Sequence, residues 1–275
     1  MKEPQRIVPR ILVPTDFSAA SERAFFCALA LAVARQARLT MLHTGRESRD
    51  VIPWDQFPGI RETLTQWRWL PADAPRTAVA ETLNVGVAKM GMRESDPRRG
   101  IADYLRRHPA DLIVMATAGR RGLARRLLGP SVAETVCHLT RTHSLMLPKR
   151  GPDLIDPATG RGCLKRVLYV VAPKRDPRAD LIFIGRWLPP LSDGDLQIAL
   201  LQTEDADDSA TYALPQMPRL EWGWEQREGE GSAAIIAAAQ ATDAELVVLP
   251  TRLRSRDTEE TLRALRLPLL VIPAF

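Results

Sequence analysis

Cysteine, aromatic residues and long apolar runs are all scarce in this chain of 275 residues, and each scarcity excludes something. The three cysteines, Cys27, Cys137 and Cys163, are odd in number and show none of the paired spacings of a zinc site or a disulfide framework. Reduced thiols are expected. No apolar run approaches the roughly 18 to 20 residues that cross a bilayer. Residues 1–10 are charged and proline-bearing, with no apolar core of a signal peptide. A cytoplasmic chain is therefore expected. The four histidines are scattered without the paired spacing of a metal site. With aromatic residues at 5%, the cations lack the interleaved rings of a single-strand nucleic-acid binder. Neither a membrane nor nucleic acid is an expected partner.

What remains is ordinary globular composition, 45% apolar and 26% charged. The length allows one large domain or, as the better reading, two medium ones of about 100 to 150 residues. Charge divides the chain: residues 1–150 hold 24 Lys and Arg against 14 Asp and Glu, and residues 151–275 hold 14 against 19. The halves carry +10 and −5. Such asymmetry suits an anionic partner for the first half, docking of one half on the other, or simply long arginines solvated on helix faces.

The order of elements is regular. Residues 10–16 (RILVPTD) form an apolar strand, followed by a helix with Ser18 as N-cap and Phe25, Ala28, Leu29, Ala32 and Val33 at spacings of three and four. Residues 38–44 form a second strand. Prolines 53, 58, 71 and 75 break up the next stretch, where no helix longer than residues 59–70 fits. A third strand is expected over 84–93, and Asp96-Pro97 opens a helix running to about Arg107. Strands over 110–117 and 143–148 flank a helix over 131–142. Continuous apolar strands alternating with helices argue for a doubly wound parallel sheet covered on both faces. Residues 151–162, rich in proline and glycine, read as a linker. The second half repeats the order, with strands expected over 165–173, 195–203, 220–227, 245–251 and 267–273 and a clear helix over 232–241. The expectation is a domain over 1–150, a linker over 151–162 and a second domain over 163–275.

Open parallel sheets bind ligands beyond the carboxyl ends of their strands. In the first half those positions are Pro14, Thr15 and Asp16, then His43 and Thr44, then 116–131 (ATAGRRGLARRLLGPS). Glycines 119, 122 and 129, four arginines and a helix start at Pro130 or Ser131 are what a phosphate cradle needs. The same pattern suits a tight turn beside solvated arginines. His43 ends a buried strand and is read as a satisfied core histidine, and Trp54, Trp67 and Trp69 as a local cluster. The matching loop of the second half, PTRLRSRD, has no glycine, and Lys174 stands about where the first half has Thr15 or Asp16.

RILVPTDFS, ESDPRRGI, ADLIVMATAGRRGLARRLLGPSVAE and HSLMLP together resemble the universal stress protein family, in particular its ATP-binding branch. The likeness is strong over residues 7–149 and rests on element order alone over 163–275. It implies two tandem five-stranded α/β domains paired as an intramolecular pseudo-dimer, the second degenerate. It also implies ATP, with Mg as counterion, bound in the first domain: Asp16 by adenine and ribose, Thr44 by its backbone at adenine, and Gly119, Gly129 and Ser131 at phosphate. Pro14, Thr15, Ala116, Arg120 and Arg121 complete the expected site. Ala116 replaces the first glycine of the branch pattern, and Pro130 stands between Gly129 and Ser131. The function implied is a stress-associated regulator that binds ATP without significant turnover. A ligand-free interaction scaffold and an ATP-cleaving enzyme are the other classes. The enzyme class is disfavoured because PTDFSAAS stands where adenylating relatives of the fold carry a phosphate loop. Expected partners are an adenine nucleotide, an unidentified protein and a second copy of the chain.

Overall fold

The computed structural model describes residues 8–46, 52–117, 136, 139–172, 176–202, 214–226, 231–250 and 264–273. The first half builds β1 (Arg10–Thr15), α1 (Ala19–Arg35), β2 (Arg38–Gly45), α2 (Ile60–Gln66), α3 (Ala78–Glu81), β3 (Gly86–Arg93), α4 (Pro97–Arg107), β4 (Leu112–Thr117) and β5 (His143–Pro148). The second builds β6 (Arg166–Val170), α5 (Arg178–Trp187), β7 (Leu196–Gln202), β8 (Leu220–Gln226), α6 (Gly231–Ala241), β9 (Leu246–Pro250) and β10 (Leu269–Ile272).

Local chemistry sets the boundaries. Ser18 caps α1 by accepting from the Ser21 N–H, and Gln36 ends it in the left-handed region at φ 50°. Asp96 caps α4 through the Arg98 N–H, with Pro97 in its first turn. The expected strand over 84–93 starts two residues late, because Asn84 makes a left-handed turn at φ 54° before Gly86. The strand expected from residue 110 begins at Leu112, since the Asp111 carboxylate accepts the Arg10 N–H at 2.7 Å while the Asp111 N–H donates to the Arg10 carbonyl at 2.9 Å. Arg68, at φ 61°, lies just beyond α2, which spans only Ile60–Gln66 of the expected 59–70. Of the helix expected over 131–142, Val136, Leu139 and Thr140 are helical, Arg141 and Thr142 are not, Arg141 turning left-handed at φ 49° ahead of β5, and residues 131–135, 137 and 138 lie outside the described residues.

All ten strands join one sheet in the order β3-β2-β1-β4-β5-β10-β9-β6-β7-β8. Neighbours run parallel within each half, as in Arg10↔Arg38 of β1 and β2 and Arg166↔Gln197 of β6 and β7. Among the described strands the two halves meet at an antiparallel pair, β5 with β10, through Leu269↔Met146, Leu270↔Leu145 and Val271↔Ser144. This is the expected pair of doubly wound sheets forming a pseudo-dimer within one chain. One apolar cluster, with Phe25, Leu29, Tyr169 and Leu181, fills the face covered by α1, α2 and α5; the other, with Ile101, Leu105, Ile235 and Ala238, fills the face covered by α4 and α6. Both clusters run through both halves.

Side chains reinforce the joint. His143 stacks on Phe183 of α5 with ring centroids 3.6 Å apart, Phe183 leans on Trp187, and the Arg35 guanidinium sits 5.8 Å from the Trp187 ring. Residues 151–162, the expected linker, are pinned to the first half. Arg23 donates to the carbonyls of Pro148, Gly151 and Pro152 at 2.8, 3.0 and 2.9 Å and pairs with Asp153. The Trp67 indole N–H donates to the Pro157 carbonyl at 2.9 Å. Gly160, at φ 73°, presses against the Trp67 ring so closely that a Cβ there would meet it at 2.5 Å. Cys27 is buried and Cys163 exposed, both as free thiols, and burial pushes both pKa values up. Cys137 lies outside the described residues. No described helix is long and apolar enough to cross a membrane.

Candidate functional site

From β1 the first half winds one way through β2 to β3, and on the other side β4 and β5 follow. The crevice between β1 and β4 is therefore the topological switch point, where open α/β sheets admit ligands. Pro14 and Thr15 end β1, Asp16 follows it, and Thr15 lies level with His43 of β2, next to Thr44. The β1–β4 register, Ile11↔Leu112 and Leu12↔Ile113, carried forward brings Ala116 beside Thr15. Five sequence-expected residues, Pro14, Thr15, Asp16, Thr44 and Ala116, thus gather at the carboxyl ends of three adjacent strands. Gly119, Arg120, Arg121, Gly129 and Ser131, together with Pro130, lie outside the described residues.

Asp16 is the charged group at this edge. Its Oδ1 accepts from the Ser18 N–H at 3.1 Å, from the Ser18 hydroxyl at 2.6 Å and from the Ser21 hydroxyl, while the Asp16 N–H donates to Ser21 Oγ at 3.3 Å. Partial burial pushes the Asp16 carboxyl up, but the hydrogen bonds from Ser18 and Ser21 outweigh it and hold the pKa below its ordinary value. An ionised acceptor results, engaged through one oxygen. Ser21, buried in the first turn of α1, holds Asp16 and was missed by sequence reasoning; its signal is the serine at Asp16+5, one helical turn beyond the N-cap.

The wall beside Asp16 is aromatic. Phe17 takes φ 61° and lays its ring 4.7 Å from His43, 5.3 Å from Trp54 and 5.7 Å from Phe57. His43 Nδ1 lies 2.9 Å from the Thr15 carbonyl, which only accepts, so that nitrogen carries the proton and ties the ends of β1 and β2 together. This is the satisfied histidine expected. Phe57 also meets Phe25, and Trp67 meets Phe26 and Trp69. The tryptophans therefore form the expected local cluster, packed on α1. On the opposite face α4 approaches closely: a Cβ on Gly100 would come within 2.8 Å of Thr44 Cγ2.

Among the described residues the second half shows no such edge. Counting from Arg10 and Arg166, which open β1 and β6 and each exchange hydrogen bonds with an acidic residue (Asp111, Glu245) ahead of the next inner strand, Val171 and Ala172 stand where Thr15 and Asp16 stand. Both are buried. The position expected for Lys174 is thus taken by apolar residues, and Lys174 lies outside the described residues, as does the loop after β9. Among the described residues no three His, Cys, Asp or Glu come close enough to hold a metal ion.

The family model of the universal stress protein family matches residues 8–148, just over half of the chain. Among solved structures, a universal stress protein from Archaeoglobus fulgidus DSM 4304 covers 96% of this chain and 96% of its own, at 18% identity and a TM-score of 0.62. The functionally unknown protein PA1789 from Pseudomonas aeruginosa PAO1 covers 97% of this chain and 93% of its own, at 14% identity and a TM-score of 0.56. These two share the fold over both halves. No curated protein matches the sequence. The match over residues 8–148 takes in every strand of the first half and the crevice between β1 and β4: this chain belongs to the universal stress protein family.

Proposed function

We propose that the chain is a stress-associated regulatory protein that binds ATP, with Mg as its counterion, at the β1–β4 crevice of its first half, and acts through its surface rather than through turnover. The observation that carries this reading is Asp16, an ionised carboxylate at the switch point whose Oδ1 is committed to Ser18 and Ser21. Its Oδ2 suits the hydroxyls of a ribose, which donate to a carboxylate. Thr44 presents backbone to the base, and Gly119, Gly129 and Ser131, by their place in the sequence, are assigned to the phosphates with Arg120 and Arg121 as counter-charges. The second half offers Val171 and Ala172 at the matching place, so one nucleotide per chain is expected.

Mass identification of small molecules released from the purified protein, followed by calorimetric titration with ATP, tests the reading. One site per chain is expected. Asp16→Ala should weaken binding about tenfold to a hundredfold, the worth of a hydrogen bond to a charged group, and Gly119→Val should abolish it by placing a branched side chain where backbone meets phosphate. A stoichiometry near two would defeat the degenerate second half. No bound nucleotide and no titration would leave an interaction scaffold of the same fold.

A further inference from the structure

The ten-stranded sheet ends in β3 on one side and β8 on the other, and among the described residues neither carries a strand on its outer side. Unpaired edges are templates for another chain. The two edges are complementary in sequence, GVAKMGMR in β3 and LEWGWEQ in β8. Lys89 and Arg93 are exposed and four residues apart, and Glu221 and Glu225 have the same spacing. Each pair has a glycine midway, Gly91 and Gly223. Val87 and Trp224, two of the exposed large apolar side chains, also lie on these edges, 39% and 44% exposed.

The faces decide the geometry. Lys89 lies level with Met41 and stands over Trp54, on the α1 side of the sheet. Glu221 and Glu225 lie level with Gln197 and Leu201, and Leu201 belongs to the α6 side. Side chains directly opposite each other across a strand pair share a face. For the two charge pairs to meet, the incoming copy must therefore be turned over about an in-plane axis normal to the strands. That rotation makes the new β8–β3 pair parallel, like the strands within each half. One register then satisfies every position: Lys89 beside Glu221, Gly91 beside Gly223 and Arg93 beside Glu225 on one face, and Met90 beside Trp222 and Met92 beside Trp224 on the other, as methionine–aromatic contacts.

We infer that the partner for these edges is a second copy of this chain, added head to tail with its β3 along β8. Like charges directly opposite are destabilising, so pairing β3 with β3 sets cation against cation, and β8 with β8 sets carboxylate against carboxylate. Only the heterologous contact matches, and such a contact propagates into open chains or closes into rings. The net charges of +10 and −5 on the two halves favour the same approach. The association is independent of the nucleotide site.

Sedimentation equilibrium of the full chain tests this. At low salt the average mass should climb past the dimer with concentration, and raising salt from about 0.02 M to about 0.5 M should weaken association at least about tenfold, as screening shortens the reach of the charges. Glu221→Lys/Glu225→Lys and Lys89→Glu/Arg93→Glu should each be monomeric alone, and an equimolar mixture of the two should associate again, since each then offers the other an opposite edge. Because Lys89 also rests on Trp54, a second measurement avoids that variant. Glu221→Lys/Glu225→Lys added to the unaltered protein should shorten its assemblies by capping them, as it keeps a basic β3 and lacks an acidic β8. An unaltered protein monomeric at every concentration, a mass that stops at the dimer, or addition of the variant without effect on assembly would each overturn the inference.

Discussion

In the first half β1 leaves the sheet through Thr15 into Asp16, whose carboxylate two serines hold at the mouth of the switch point. In the second half β6 leaves it through Val171 and Ala172, both buried. The strand order around the two crevices is otherwise the same, with β1 beside β4 and β6 beside β9. The two halves therefore share a scaffold and differ where β1 and β6 end, and the ends of strands are where an open sheet offers groups to a ligand. Covering differs in the same sense. The first half adds residues 52–81 to α1 and builds an aromatic wall, whereas the second covers the equivalent face with α5 and the turn Pro189–Leu191.

The largest effect expected from this difference is on independence. Separated from the first half, residues 163–275 lose the β5 partner of β10, the His143 ring stacked on Phe183 and the Arg35 guanidinium beside Trp187. Leu269, Leu270 and Val271, buried in the whole chain, then line an open edge. The isolated fragment should show no cooperative thermal transition or should aggregate. A soluble, monomeric fragment that melts cooperatively at the temperature of the whole chain would show that the second half does not need its partner.

A mid-sized effect is expected at Trp67, which belongs to the aromatic wall of the first half. Its ring is 4% exposed, packs on Phe26 and Trp69, receives Gly160 against its face and donates its N–H to Pro157. Trp67→Ala removes both the packing of residues 60–70 and the anchor of residues 156–160. Truncating a buried aromatic costs about 3 to 5 kcal/mol, and chemical denaturation should read a loss of that size. A loss below about 1 kcal/mol, typical of a surface change, would make the wall an accessory of the fold.

How far each half was legible in the sequence follows from the range of the interactions. The caps at Ser18 and Asp96, with Pro97 behind the latter, are local and set the helix starts where the pattern put them. The strand over 143–148 is bounded by its own apolar run and was readable to the residue. The turns at Asn84 and Arg68 were not, because positive φ in a non-glycine residue leaves little mark on hydrophobic spacing. Nor was the holding of residues 151–162 by Arg23 and Trp67, which act across roughly 90 to 130 positions of sequence. At the site, Asp16 was legible because it follows an apolar strand. Its support by Ser21 was not, since a serine in a helix's first turn ordinarily reads as no more than a good helix start.

The smallest effect concerns that support and carries a pH signature that the second half cannot share. Hydrogen bonds from Ser18 and Ser21 hold the Asp16 carboxyl below its ordinary value, against the upward push of partial burial. A carboxyl whose pKa is lower folded than unfolded stabilises the fold above its unfolded value, about 3.9, and that contribution fades as pH falls through the folded value. Asp16→Asn keeps an oxygen that accepts from the serines and removes the charge. The variant should therefore melt below the unaltered protein near neutrality, by a margin trimmed by the exposure of the site, and the two melting curves should converge as pH falls below about 4. Ser21→Ala should narrow the same gap by raising the Asp16 pKa toward its ordinary value, readable as a shifted carboxyl titration in NMR. A gap between Asp16→Asn and the unaltered chain that stays constant from neutrality into acid would mean that the carboxylate's charge contributes nothing, and that Asp16 differs from Ala172 only in shape.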